Sequence, residues 1–300
     1  MKKKISVVVV TFNGEIWIKK NIDSLLKSNY PIDIIVVDNA STDQSKAILK
    51  EYKNIHLIQN NTNLGFGKAN NIGIDIAIKN GADAIFLLNQ DTWIFENTIT
   101  NLAEKLFEIP DFGIVSPMHY SADETILDSS FSTYYNNNET EIDSNSIRIV
   151  PFVNAAAWLV SKECFKKVGY FEPIFNHYGE DRNFCDRLQY HKFKIGIVKN
   201  AAICHDRIIR LNSTKIILQS QYLVLIQIIN CNNSLYTSLL LGLKSFFGLP
   251  KFHFKSQGFL KSIYLFYKLK LYYFSLLLDI KTIKQIRFNS KKGINGIFTQ

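Results

Sequence analysis

The chain has 300 residues, 47% of them apolar and 20% charged, with a formal net charge of +9. This length buries the core of one large domain or two modest ones, and the composition excludes a disordered or fibrous chain. The charge is lopsided: residues 207–300 hold fourteen Lys or Arg against one acid, Asp279, a balance of +13, whereas residues 1–206 come to −4. Such asymmetry points to two functional regions.

The start, Met1-Lys2-Lys3-Lys4, is basic, and the run Ile5 to Val10 that follows is only six residues long. That is too short for the apolar core of an export signal, so it reads as a strand buried on both faces. Ile18, Ile22, Leu25 and Leu26 recur at helical spacing. Ile34 to Val37 is a second strand ending at Asp38, and Ser41-x-x-Gln44 reads as a capping box opening a helix to Tyr52. A strand at 55–58, a helix at 66–79 and a strand at Ala84 to Leu88 follow, the last running into Asn89-Gln90-Asp91. A helix near 97–107 and a strand near 113–116 complete an alternation that predicts parallel crossovers and an α/β sheet covered on both faces. Residues 118–148 are polar and unpatterned and read as a long loop or hairpin. Apolar character resumes at Phe152 to Val160, and a helix at 180–190 and a strand at 194–198 close this part. Cys164, Cys185, Cys204 and Cys231 form no C-x-x-C pair and read as scattered buried thiols.

Beyond Arg207, aliphatic and aromatic runs are interleaved with lysine. Residues 216–243 carry no charge, but Gln219, Gln221, Gln227, Asn230, Asn232 and Asn233 interrupt them, which argues against a membrane span. Residues 259–278 carry three lysines among many aromatics. That pattern suits a helix lying in a membrane interface, with packing on the preceding domain as the alternative. An anionic membrane surface is therefore an expected partner. Nucleic acid is not, because the basic residues fall in an apolar tail without a recognisable binding motif.

In open α/β sheets ligands bind beyond the carboxyl ends of strands. Three polar clusters sit at such ends: Thr11-Phe12-Asn13-Gly14, Asp38-Asn39-Ala40-Ser41 and Asn89-Gln90-Asp91. Each alone reads equally as a turn or a cap. The dinucleotide fingerprint G-x-G-x-x-G is absent after the first strand: Gly65-Phe66-Gly67 comes later and reaches Asn70 where a third glycine belongs. A P-loop is absent too.

Val7 to Gly14, Val36 to Asp43, Asn63 to Gly73 and Leu87 to Thr92 together resemble the motifs of family 2 glycosyltransferases of the GT-A fold, especially rhamnosyltransferase-type members of bacterial surface-polysaccharide pathways. The resemblance covers about residues 5–206. It implies a GT-A catalytic domain over 1–206, with a nucleotide-sugar half to about 117 and an acceptor half from about 118. Residues 207–300 then form a helical C-terminal region.

The resemblance also assigns roles. Thr11, Asn13 and Asp38 would hold the nucleobase and ribose, with Asn63 and Lys68 near the donor. Asn89-Gln90-Asp91 replaces the family's D-x-D, leaving Asp91 to bind a divalent ion, Mn²⁺ or Mg²⁺, with Asn89 and Gln90 beside the donor. His205 would complete the metal site. In His177-Tyr178-Gly179-Glu180-Asp181-Arg182, Asp181 would be the general base, kept ionised by the helix N-terminus, with Glu180 the competitor. Asn154 would line the acceptor cleft and Trp158 would stack on a sugar, though an aromatic in a strand is more often core. His177 and His191 read as structural or acceptor-edge residues.

The activity the resemblance implies is an inverting transfer from a nucleotide-diphosphate sugar, with dTDP-rhamnose the donor it points to, onto a saccharide or lipid-linked acceptor at the inner face of the cell membrane. A polyprenyl-phosphate glycosyltransferase, a nucleotidyltransferase and an inactive assembly scaffold are the rivals.

Overall fold

A computed structural model describes residues 2–137, 142–143, 147–207 and 213–296. In chain order the first elements are β1 (Ile5–Thr11), α1 (Ile18–Leu26), β2 (Ile32–Asp38), α2 (Ser45–Lys50), β3 (His56–Gln59), α3 (Phe66–Lys79) and β4 (Ala84–Asn89). They are followed by β5 (Thr92–Ile94), α4 (Thr98–Glu108), β6 (Phe112–Ser121), α5 (Ser129–Asn137), β7 (Ile142–Asp143) and β8 (Ile147–Ile149). Then come β9 (Ala157–Ser161), α6 (Lys162–Val168), α7 (Glu180–Tyr190) and β10 (Lys194–His205). Four helices end the chain: α8 (Ser213–Ile229), α9 (Leu235–Gln257), α10 (Phe259–Leu278) and α11 (Ile280–Lys292).

One sheet runs β3-β2-β1-β4-β9-β6-β10-β8-β7, with β5 on β10. The first four strands are parallel to one another, as the alternation predicted. β6 keeps that direction, since β4 and β6 both run antiparallel to β9, the reversed strand inserted between them. Both faces are covered. Val7 and Val9 of β1 pack with Ile18, Ile22 and Leu25 of α1, while Val8 turns to the opposite face with Ile74 and Ala77 of α3. Gly73 allows that second contact: a Cβ there would stand 2.4 Å from Val8 Cγ1.

The segment 118–148 is not a plain loop in its described part. β6 continues to Ser121 and α5 follows, buried through Phe131, which stacks on His119 at 4.6 Å between centroids. The rest of that expectation, at 138–141 and 144–146, lies outside the described residues. The capping box is also absent. α2 begins at Ser45, and the Ser41 hydroxyl instead accepts from Asn13 N at 3.0 Å.

The four last helices build a third apolar cluster around Leu225, Leu269 and Tyr273, which takes in Phe175 from before α7. Polar contacts bind its helices to one another, through Arg287, and to the sheet-bearing part, through Asn232 and Tyr170. Arg287 is buried and donates to Ser238 Oγ (2.9 Å) and to the carbonyls of Ile228 (3.0 Å), Asn233 (2.6 Å) and Asn230. Asn232 Nδ2 donates to Asp186 O at 2.7 Å, and Tyr170 N to Asn295 O at 2.7 Å. Among the described residues no helix is long and apolar enough to cross a membrane.

Candidate active site

Strand register brings the polar clusters to one edge: Thr11 pairs with Asp38, and Val10 with Asn89. Gln90 ties the first cluster to the third. Its Oε1 accepts from Thr11 Oγ1 (2.7 Å) and Phe12 N (2.9 Å), and its Nε2 donates to Phe12 O at 3.2 Å. Asn13 sits at φ +50°, a conformation Asn tolerates, and its Oδ1 accepts from Thr42 N at 2.8 Å. Asn39 joins the second cluster to the loop before α3. Its Oδ1 accepts from Asn60 Nδ2 and Leu64 N, both at 3.0 Å, and its Nδ2 donates to Asn63 Oδ1 at 2.8 Å. Asn63 Oδ1 also accepts from Gly65 N at 2.9 Å. Gly65 has φ +83°, and a Cβ there would meet Asn176 O at 1.9 Å, so only glycine lets these two segments close.

Above this edge is a cavity of about 740 Å³, lined by Phe12, Asn39, Asn63, Asn89, Gln90 and Asp91 among others. Thr11, Asn13, Asp38 and Lys68 do not line it themselves. Thr11 and Asp38 are buried beneath it, Asn13 turns to Ser41 and Thr42, and Lys68 Nζ lies 3.5 Å from Asn176 Oδ1. Asp38 Oδ2 accepts from Ser41 N at 3.3 Å and faces Lys46 Nζ at 3.7 Å, while its Oδ1 is buried with no hydrogen-bond partner. A second cavity, about 550 Å³, is lined by Phe152, Asn154, Glu180, Asp181, Arg182, Arg207 and, from α8, Tyr222 and Ile226. The two cavities share Phe66, Asn89 and His177. Asn89 Oδ1, at this junction, is buried without a partner.

Asp91 and His205 come together where β4 and β10 end, with Asp91 Oδ2 3.2 Å from His205 Nε2. Asp91 is partly exposed, while His205 is buried. Behind the imidazole, Asp128 Oδ2 lies 3.9 Å from His205 Nδ1, and Arg207 bridges the two, with Nε 3.3 Å from Asp128 Oδ2 and Nη2 3.4 Å from Nδ1. One carboxylate and one imidazole converging from different strands form a donor pair suited to Mn²⁺, and to Mg²⁺ through its oxygen. No cluster of three or more such side chains occurs among the described residues.

Across the second cavity, α7 opens with Glu180 and Asp181 behind Gly179, whose φ is +91°. The dipole was expected to keep Asp181 ionised, but burial outweighs it and raises the Asp181 carboxyl above its ordinary value. Backbone N–H groups of Arg182 and Ala155 oppose that rise. Glu180 is more deeply buried, its Oε2 has no partner, and burial plus the adjacent Asp181 charge push it up to about 8. At neutral pH Glu180 keeps its proton, while three backbone N–H groups, those of Asp181, Arg182 and Ala155, oppose the rise at Asp181.

Trp158 requires a correction. It is fully buried, stacked at 6.2 Å on Phe171 and tilted against Phe184, so no face is open to a sugar. Strand alternation could have anticipated this, since Trp158 shares a sheet face with the buried Val160. His191 is tied to Ser290 O at 2.9 Å, away from both cavities. Asp128, Arg207 and Tyr222 were missed. They lie in segments without periodic pattern or far along the chain, and only the fold brings them to the site.

A covered sheet, a nucleotide-sized cavity at its carboxyl edge and an acid pair across the junction define a GT-A glycosyltransferase. The chain belongs to glycosyl transferase family 2, whose profile residues 6–169 match. Among its relatives is a dTDP-rhamnosyl transferase of Shigella flexneri, 28% identical over 220 residues that span 68% of this chain and 70% of that protein. Another is the N-acetylglucosaminyl-diphospho-decaprenol L-rhamnosyltransferase of Mycobacterium tuberculosis, 24% identical over 69% of this chain and 77% of the relative. In fold the chain resembles TarS of Staphylococcus aureus, with a TM-score of 0.62 at 17% identity over 96% of this chain and 89% of the TarS chain. It also resembles a Pyrobaculum calidifontis mannosyltransferase solved with GDP-mannose and Mn²⁺, with a TM-score of 0.60 at 15% identity over 98% and 84%.

Proposed function

We propose that this glycosyltransferase takes a nucleotide-diphosphate sugar in the cavity above β1, β2 and β4 and transfers the sugar, with inversion, to a hydroxyl of an acceptor in the second cavity. The observation that carries this reading is the shared wall at Phe66, Asn89 and His177: a sugar placed there faces the leaving diphosphate on one side and Asp181 on the other. That is the in-line arrangement a single displacement requires.

On this reading Asp38, buried beneath the cavity, supports the nucleoside end by holding Ser41 N at 3.3 Å from its Oδ2. Phe12 and Asn39 line the nucleoside end of the cavity. Asp91 and His205 would hold a divalent cation, which supplies charge neutralisation for the departing diphosphate. Asn89 Oδ1 accepts from a sugar hydroxyl at the junction. Asp181 takes the acceptor hydroxyl's proton as that oxygen bonds to the anomeric carbon, and the bond from that carbon to the diphosphate oxygen breaks. Glu180 stays neutral beside it, so the pair carries one charge. Residues 1–206 supply the donor half and the acid pair, and 207–300 complete the acceptor wall through α8.

The rhamnosyl transferases among the relatives favour dTDP-rhamnose as donor. The apolar wall of Tyr222, Leu223 and Ile226, set against Arg182 and Arg207, favours an acceptor saccharide carried on a lipid diphosphate. Incubation with dTDP-rhamnose, Mn²⁺ and a lipid-diphosphate N-acetylsugar should release dTDP and extend the acceptor with inverted configuration. Release of dTDP with no extended product, or retained configuration, overturns the assignment.

A further inference from the structure

We infer that the outward face of α10 is a docking surface for an anionic lipid bilayer. This inference is independent of the sugar transferred.

The helix carries two apolar stripes. Ser262, Leu265, Leu269, Tyr273 and Leu276 are buried, and the larger of them belong to the third core cluster. Leu260, Tyr264, Tyr267, Leu271, Phe274 and Leu278 are all at least half exposed, and Leu278 reaches 90%. At 3.6 residues per turn the two stripes lie about 180° apart. The exposed one is therefore not a frayed margin of the core. It is a second apolar face, continuous along five turns and at least half exposed among the described residues. Soluble surfaces do not normally leave such a stripe bare, and a contiguous patch of this kind marks an interaction site.

The occupant follows from what flanks the stripe. By the same helical geometry Lys261 and Lys268 fall on one side of it and Lys270 on the other. Lys268 Nζ lies 5.3 Å from the centre of the Tyr264 ring. Residues 213–296 hold twelve Lys or Arg and a single acid, Asp279. Two copies of this face brought together would juxtapose lysines with no acid to answer them. An anionic bilayer accepts aliphatic and tyrosyl side chains at the acyl boundary, while lysines reach up to the phosphates. Since no described helix can cross the membrane, α10 lies along it. Its 20 residues make a contact about 30 Å long.

The test is sedimentation of the full-length protein with vesicles of phosphatidylglycerol and phosphatidylcholine, against vesicles of phosphatidylcholine alone. The protein should pellet with the former at low salt, weaken at high salt, and ignore the latter. Lys261→Glu/Lys268→Glu/Lys270→Glu should cut partitioning about a hundredfold or more, at roughly fivefold per lysine removed. Leu271→Glu/Phe274→Glu should abolish it. Both variants alter exposed side chains, so each should keep the wild-type melting temperature and the rate of transfer to a soluble acceptor. Failure of the wild type to bind anionic vesicles overturns the inference. So does a concentration-dependent dimer that Leu271→Glu/Phe274→Glu dissolves, which would make the face an interface between copies.

Discussion

Glu180 and Asp181 are consecutive acids that the fold treats differently. Glu180 is pushed up to about 8 from an ordinary 4.5, so the folded chain holds a proton that the unfolded chain releases. Stability from this group is therefore greatest below pH 4.5 and falls as pH rises toward 8. Melting temperatures across that window should decline more steeply for the wild type than for Glu180→Gln; parallel curves would show that Glu180 ionises normally. For catalysis, Asp181→Asn should lower kcat by about 10²–10⁴ with donor affinity unchanged, whereas Glu180→Gln should retain most activity. The reverse ranking would move the base to Glu180. The sequence exposed this pair through its motif, but not its electrostatics, because a dipole is readable from helix position and burial is not. Trp158 differs: alternation with Val160 made its burial readable, and only the family resemblance had set it against a sugar.

At the scale of elements, the parallel half was legible because β1, β2 and β4 are short apolar runs ending in polar turns, and α3 was bounded correctly at 66–79. The antiparallel direction of β9 and the helix α5 were not. β9 has the composition of any buried strand, and its direction depends on where α5, β7 and β8 return the chain. The capping box failed because Ser41 serves Asn13, a tertiary contact that no local pattern encodes. The α3 contact makes its own prediction. Gly73→Ala drives a Cβ against Val8 and should cost about 1–3 kcal/mol in denaturant unfolding. No loss would mean that α3 can slide on β1, and with it the Gly65 end that walls the first cavity.

For the whole molecule, the charge asymmetry marked 207–300 as different in kind but did not reveal how firmly it is attached. α8 walls the second cavity, Phe175 joins the helical cluster, Asn232 donates to Asp186 O, and Arg287 ties the helices to one another through their carbonyls. Arg287→Met leaves those carbonyls unsatisfied and should destabilise the full chain by more than about 2 kcal/mol. A chain ending at 206 should lose solubility along with activity. The central claim is a divalent-ion-assisted nucleotide-sugar site at the carboxyl edge of the sheet, and the most direct measurement is the ligand-induced melting shift. With Mn²⁺ and dTDP-rhamnose at about a hundred times Kd, binding adds about 2.7 kcal/mol. The melting point should then rise by several degrees, and the rise should vanish with a chelator or in Asp91→Asn. No shift with any nucleotide sugar, or a full shift in Asp91→Asn, would contradict the account.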